Sequence, residues 1–416
     1  QQQVKVMHIT AHKGVRIFRE YYLNISTKPI PLPKTAKIPV DFCTCAVQWN
    51  KKNGDKVFKF EKLAVLQNGI PIYSPFAGVF KGFSVGPKLA HNPAMQYAII
   101  TTQNDSTPPC PLWDVSQLPS TRQELTQLVQ KAAIADELRH RYLLPLLSSQ
   151  KIFESVLIDA VDDEPYDLSR SAVLLQHSQE VFAGAQIVAA ALGLQKVQLL
   201  ALKNFVTKPF FKTNTPGIQK IAMRGKYPAF PAIKLYATKT KALRIGVQAC
   251  RAIYRAALFG EPQLSHTVTV WGDGVTAPGN LEVPNGTPIS DILAYCKADG
   301  ALERVVAGGM MTGYTASVFY PLYNWDSTVT ALLLKKHHAP TPCTNCGRCA
   351  IVCPIGLAPY YTLRSSTHKG EKRASELCGE MCVHCGACSY ICPARIPLEE
   401  YLQKAAPKPE KEPTNE

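Results

Sequence analysis

The 416-residue chain has 25 glycines, yet none falls between Gly86 and Gly184. Backbone amides approach a phosphate most closely where glycine removes the Cβ, so no phosphate-cradling loop is expected in that stretch. A GxGxxG fingerprint is absent throughout. Long apolar runs are missing too. The longest, residues 181–194, has 14 residues and contains Gln186. A bilayer-spanning helix needs roughly 18 to 20, so none is expected. The first residues from Gln1 show no basic segment leading into an apolar one, and no secretory leader is expected there. Acidic residues are few: 31 against 46 Lys and Arg, a formal charge of +15. No dense Lys/Arg run interleaved with aromatics accompanies that charge, which sets nucleic acid aside. An anionic membrane face or an acidic partner remains. With 46% hydrophobic and 19% charged residues, the chain can form true cores and is not mainly disordered. Its length suggests two to four domains.

The pattern along the chain changes several times. Residues 1–110 are β-rich, with short apolar runs at 40–49 and 57–66 broken by Lys52-Asn53-Gly54-Asp55 and Gln67-Asn68-Gly69. Two similar strand–turn–strand units predict a barrel-like sandwich of the biotinyl or lipoyl carrier type. The hairpin tip Gln67-Asn68-Gly69-Ile70-Pro71 has no modifiable lysine, so the expected role is structural. A Pro-rich connector, 108–120, leads into α/β alternation over 111–262. Helical patterns are expected at 121–144, 168–194 and 245–258, and strands at 155–160 and 197–202. This order implies a parallel pair with a crossover helix. Residues 263–334 suggest a small β-grasp-like unit with strands at 266–271, 280–283 and 305–307 and a helix at 288–298. A polar linker, in which His337 and His338 are expected to be solvated, opens 335–404, a compact cysteine module. Residues 405–416 form a charged tail expected to be disordered.

Nine of the 14 cysteines lie between Cys343 and Cys392. Such clustering suggests metal ligation in a reducing compartment rather than a disulfide framework. Cys343, Cys346, Cys349 and Cys353-Pro354 repeat as Cys382, Cys385, Cys388 and Cys392-Pro393. A triplet at this spacing places three thiolates on one four-iron cube, and the fourth ligates the other cube. The expected sets are Cys343, Cys346, Cys349 and Cys392 for the first [4Fe–4S] cluster. The second takes Cys382, Cys385, Cys388 and Cys353. Zinc sites instead use paired C-x2-C motifs without crossover. Two oxidised clusters at about −2 each would leave the protein near +11. Gly347 and Gly386 allow backbone amides to approach sulfur. Cys378, Cys110, Cys250 and Cys296 are expected to be bystanders, and Cys43 and Cys45 lie too close on one strand to pair easily.

These motifs, with His12-Lys13-Gly14-Val15, Asp163-Glu164-Pro165-Tyr166, Lys226-Tyr227-Pro228, Gly286-Thr287-Pro288, 307–313 and Ile396-Pro397-Leu398, resemble the RnfC family of the Rnf electron-transport complex along most of the chain. The resemblance implies a Rossmann-like α/β domain, a soluble-ligand-binding β-grasp (SLBB-like) unit and a ferredoxin-like dicluster module. It also implies electron flow among NADH, FMN and ferredoxin-type partners at the cytoplasmic face of a membrane. Glu164 and Tyr166 would contact FMN or NADH. Partners would be other subunits of a redox complex, membrane-embedded ones among them, and an acidic ferredoxin or flavodoxin. One departure opposes part of this. The family places a Gly-Gly-Ala-Gly-Phe-Pro-Thr loop before its Glu-Pro-Tyr motif, whereas residues 135–145 read ADELRHRYLLP. That stretch is bulky and helix-compatible, and Asp136 and Glu137 would repel phosphate. Ala229-Phe230-Pro231 replaces the family's Gly and Glu after Tyr-Pro. The expectation is an α/β domain that keeps its fold without its FMN and NADH site. The chain is then an iron–sulfur relay; the rival is an FMN-dependent NADH dehydrogenase subunit. A soluble electron donor to a proline- or cobalamin-type reductase is a further alternative, as is an adaptor whose clusters only hold its fold.

Overall fold

The computed structural model describes residues 6–17, 25–40, 48–86, 96–104, 111–204, 207–333, 339–369 and 379–405. The expectations for Cys43, Cys45, Cys110, Cys378, His337, His338 and the tail from 406 lie outside these residues.

A five-stranded parallel sheet forms the middle of the molecule. Its order is Met7–Ala11, Ile218–Gly225, Val197–Leu202, Ser155–Ala160, Ala242–Gly246. Ser155–Ala160 and Val197–Leu202 are buried at every position, as strands covered on both faces must be. The chain steps outward from Ser155–Ala160 to Ile218–Gly225, then returns to place Ala242–Gly246 on the other side. Such a reversal opens a crevice beyond the carboxyl ends of the two strands that flank it. Helix Val247–Phe259 begins directly at that crevice and ends at Gly260, whose φ of 63° makes the left-handed cap.

Three helical expectations change. Helix Arg122–Lys131 is shorter than 121–144; Thr121 and Glu124 form its capping box, and Ala133 leaves the helix with φ 51°. Residues 135–145 do not continue it. Ala135–Asp136 pairs antiparallel with Arg141–Tyr142, and helix Leu144–Ser148 follows. Tertiary bonds made by buried Asp136 and Glu137 override the local propensity. The 168–194 pattern divides into Ser169–Gln176 and Ser178–Ala191 at His177, which has φ −127°. Ile245 belongs to a strand rather than to the next helix.

A four-stranded sheet orders Thr35–Pro39, Gln96–Gln103, Ala77–Val85 and Lys56–Val57, and a three-stranded one holds Gln48–Trp49, Lys62–Val65 and Pro71–Tyr73. Ile38, Leu63, Ile72, Phe80 and Ile100 pack between them. A six-stranded mixed sheet carries helix Ile289–Tyr295 over a core of Val268, Val270, Leu281 and Val329. The first 110 residues do not stay together, as the sequence suggested they would. Met7–Ala11 joins the parallel sheet beside Ile218–Gly225, and Thr27–Pro29 joins the mixed sheet beside Gly279–Pro284. Each satisfies backbone groups of an otherwise open edge. Among the described residues no helix is long and apolar enough to cross a membrane.

Candidate functional site

The two cysteine motifs fold alike. Asn345 and His384 have φ 56° and 52°, and Gly347 and Gly386 have φ 71° and 70°. Each glycine starts a one-turn helix, Arg348–Val352 or Ala387–Ile391. The Asn345 N–H donates to Cys343 Sγ at 3.3 Å, and the His384 N–H to Cys382 Sγ at 3.4 Å. Amides aimed at sulfur in this way stabilise thiolate charge.

Each motif contributes to two cavities. One is lined by Cys343, Cys346, Cys349 and Cys392. The other is lined by Cys382, Cys385, Cys388 and Cys353. Each thus has three cysteines from one motif and the last from the other. Among the described residues no three Cys, His, Asp or Glu side chains converge on a point that suits a single metal ion. Four cysteines at each cavity are the donor set that a four-iron cluster takes.

The cavities differ in their surroundings. Cys346 is exposed, and Cys343, Cys349 and Cys392 are half-buried. Cys353, Cys382, Cys385 and Cys388 are all buried. Burial pushes the Cys385 and Cys388 thiols up to about 11 and about 12, whereas the Arg348 backbone amide holds Cys346 below its usual value. Of the inner set, Cys385 packs with Val15 and Tyr227, against which Phe230 and Met311 rest, residues from the α/β and mixed-sheet regions; Cys353 and Cys382 pack with Leu357 and Leu402. Gly386 lies so close to Met311 that a Cβ there would stand 2.7 Å from the Met311 carbonyl oxygen.

Glu164 sits at this junction. The Met311 N–H (2.8 Å) and the Thr312 hydroxyl (2.7 Å) donate to its carboxylate, and the Tyr227 hydroxyl lies 3.2 Å away. Tyr227 also donates to the Cys385 carbonyl at 2.8 Å. Burial raises Glu164 to about 7. Tyr166 stacks on Trp271, with ring centroids 3.7 Å apart and an interplanar angle of 22°. The neighbouring Asp162 is buried and accepts from the Arg170 and Ser171 amides. Asp163 accepts from those of Ala229 and Phe230. Both cap helix starts.

The crevice at the sheet reversal is where a nucleotide phosphate would sit. The structure puts a carboxylate there. Glu137, 1% exposed, accepts from the Gln248 and Ala249 amides at 2.8 and 3.3 Å, at the start of helix Val247–Phe259. Asp136 accepts from Gly246 at 3.3 Å and pairs with Arg139. Gly246 lets the Glu137 carboxylate come close, since a Cβ there would stand 2.1 Å from its Oε1. Burial, then the neighbouring Asp136, raises the Glu137 pKa. These residues do not fit an FMN or NADH phosphate. The capping role of Glu137 was not visible in the sequence, because its partners lie more than 100 residues away.

Two family descriptions match the chain: a 4Fe-4S dicluster domain over residues 340–396 and an SLBB domain over 267–315. The C subunit of the ion-translocating oxidoreductase complex of Serratia proteamaculans (strain 568) is 27% identical over 76% of this chain and 49% of its own. The Rhodobacter capsulatus protein of that name is 30% identical over 55% and 48%. That of Vibrio cholerae (strain ATCC 39315) is 27% identical over 74% and 43%. The chain thus spans about half the length of these relatives or less. A solved NAD+-reducing [NiFe]-hydrogenase in its H2-reduced state covers 71% of this chain and 64% of its own at 14% identity and a TM-score of 0.47, too loose a likeness to bear on function. The chain is a multidomain α/β protein with an SLBB and a 4Fe-4S dicluster domain, similar to the C subunits of ion-translocating oxidoreductase complexes.

Proposed function

We propose that the protein is an iron–sulfur electron-transfer subunit of an Rnf-type redox complex, relaying single electrons through two [4Fe–4S] clusters. The observation that carries this reading is the pair of cavities, each lined by four cysteines in a crossed 3 + 1 set. Cys343, Cys346, Cys349 and Cys392 hold the first cluster; Cys382, Cys385, Cys388 and Cys353 hold the second. Bound clusters supply one-electron storage; the chain supplies thiolates, amides directed at sulfur and a graded cover. The exposed first set faces external carriers. The second is buried, Cys385 against Val15 and Tyr227, and Cys353 and Cys382 against Leu357 and Leu402.

Glu164 and Tyr166 do not act as flavin ligands in this reading, since both are engaged between domains. The α/β region serves as a scaffold whose anion position Glu137 fills. Its division is proposed as 1–110 barrel-sandwich, less the two N-terminal strands, 111–262 Rossmann-like, 263–334 SLBB-like and 335–404 dicluster. Other subunits of the complex, at the cytoplasmic face of a membrane, and an acidic ferredoxin or flavodoxin are the proposed partners.

Iron, sulfide and flavin analysis of the purified protein tests the proposal. The expected result is roughly eight irons per chain, flavin well below one per chain and no bleaching of the cluster absorbance by NADH alone. Stoichiometric FMN with rapid NADH reduction would establish the dehydrogenase reading instead.

A further inference from the structure

Tyr227 has one hydroxyl proton and two acceptors within reach: the Cys385 carbonyl at 2.8 Å and Glu164 at 3.2 Å. The ring is 1% exposed, so water does not readily supply a substitute donor. The Tyr227 backbone is held on its own account, exchanging bonds with Val15 at 2.8 and 2.9 Å. Glu164 is held by Met311 and Thr312, and Gly309 leaves room for it, since a Cβ there would lie 2.5 Å from the Glu164 side chain. Three separated stretches of chain therefore meet at one carbonyl of the second cysteine triplet. In a trans peptide the C=O and the following N–H point opposite ways. Fixing the Cys385 carbonyl toward Tyr227 therefore turns the Gly386 N–H to the other side. Amide direction and nearby charge are among the protein's means of setting a cluster's potential.

We propose that Glu164 and Tyr227 are positioning residues that set the reduction potential of the second cluster alone, Tyr227 by holding the Cys385 carbonyl and Glu164 by competing for the Tyr227 proton. The inference rests on the two-cluster reading above. Cys346, the counterpart of Cys385 in the first motif, is exposed and lies in the cavity away from this junction. With Glu164 ionised, its charge opposes an added electron and draws the hydroxyl from the carbonyl. A glutamine removes the charge and offers an N–H to the Tyr227 oxygen, leaving the hydroxyl to Cys385. The second cluster then becomes easier to reduce. Loss of the hydroxyl removes a donor from the carbonyl and makes it harder to reduce.

The test is potentiometric titration with dithionite, followed by EPR, on the full-length cluster-loaded protein at pH 8. That pH lies above the value of about 7 to which burial raises Glu164. Glu164→Gln should change the reduction equilibrium of the second cluster about tenfold in favour of the reduced form, about 59 mV for one electron. Tyr227→Phe should move it in the opposite direction, and the first cluster should keep its potential in both. Two wild-type signals with an unchanged second potential in both variants, or an equal shift of both clusters, overturn the inference. A wild-type protein with one cubane signal overturns the two-cluster reading itself. Should one variant fail to load iron, the sign of the shift in the other decides.

Discussion

Cys392 ends the second motif yet lines the cavity of the first. Cys392→Ser should therefore damage the cluster at Cys343, Cys346 and Cys349 and spare the one at Cys382, Cys385 and Cys388. Iron counts and EPR on the variant check this; an intact first cluster would dismiss the crossed arrangement. The crossed grouping of the cysteines about two cavities was legible because their spacing on one short segment is itself the geometry. Gly347 and Gly386 were legible for the same reason. The sequence singled out Glu164 and Tyr166 but not their contacts. Their partners Met311, Thr312 and Trp271 lie more than 100 residues away, and no local pattern reports such a contact. The sequence showed that Asp136 and Glu137 oppose phosphate by charge. It did not show that Glu137 is nearly inaccessible and caps a helix in the phosphate's place.

Helix Ser178–Ala191 packs against Val247–Phe259 through Gly184, where a Cβ would run into the Cys250 carbonyl. Backbone cannot yield as a flexible side-chain end can. Gly184→Ala should therefore destabilise the α/β region by about 1–3 kcal/mol, measurable as a lower urea midpoint with an unchanged slope. A midpoint equal to wild type would show that the helices separate without cost. Element types were largely readable from apolar periodicity, and the parallel crossover followed from strand–helix–strand order. Element ends were less so. Nothing in 121–144 marks the stop at Lys131, because Ala132 and Ala133 are good helix formers; the stop is imposed by what Asp136 and Glu137 bind. The break at His177 is equally silent in a continuous apolar pattern.

For the whole molecule, the formal charge of +15 falls to about +11 with two oxidised clusters bound, and that is the charge an acidic partner meets. Exposed charges separated by more than about 8–10 Å are screened at roughly 0.1–0.15 M salt. Binding to a ferredoxin or flavodoxin should therefore weaken steeply with added salt, through a slower on-rate. Titration calorimetry or stopped-flow at two ionic strengths reads this, and a flat response would point to an apolar docking face. Regional composition made the order of modules readable, but the exchange of strands between them was not. That exchange bears on how the chain is made. Met7 pairs with Ile221 and Thr27 with Asn280, partners more than 200 residues downstream. At about 5–20 residues per second the ribosome delivers those partners roughly ten to fifty seconds later. Until then the two leading strands have no edge to join, and neither the parallel nor the mixed sheet can close. Such non-local pairing makes for slow folding, and a shortened chain that lacks this clasp leaves two sheet edges bare.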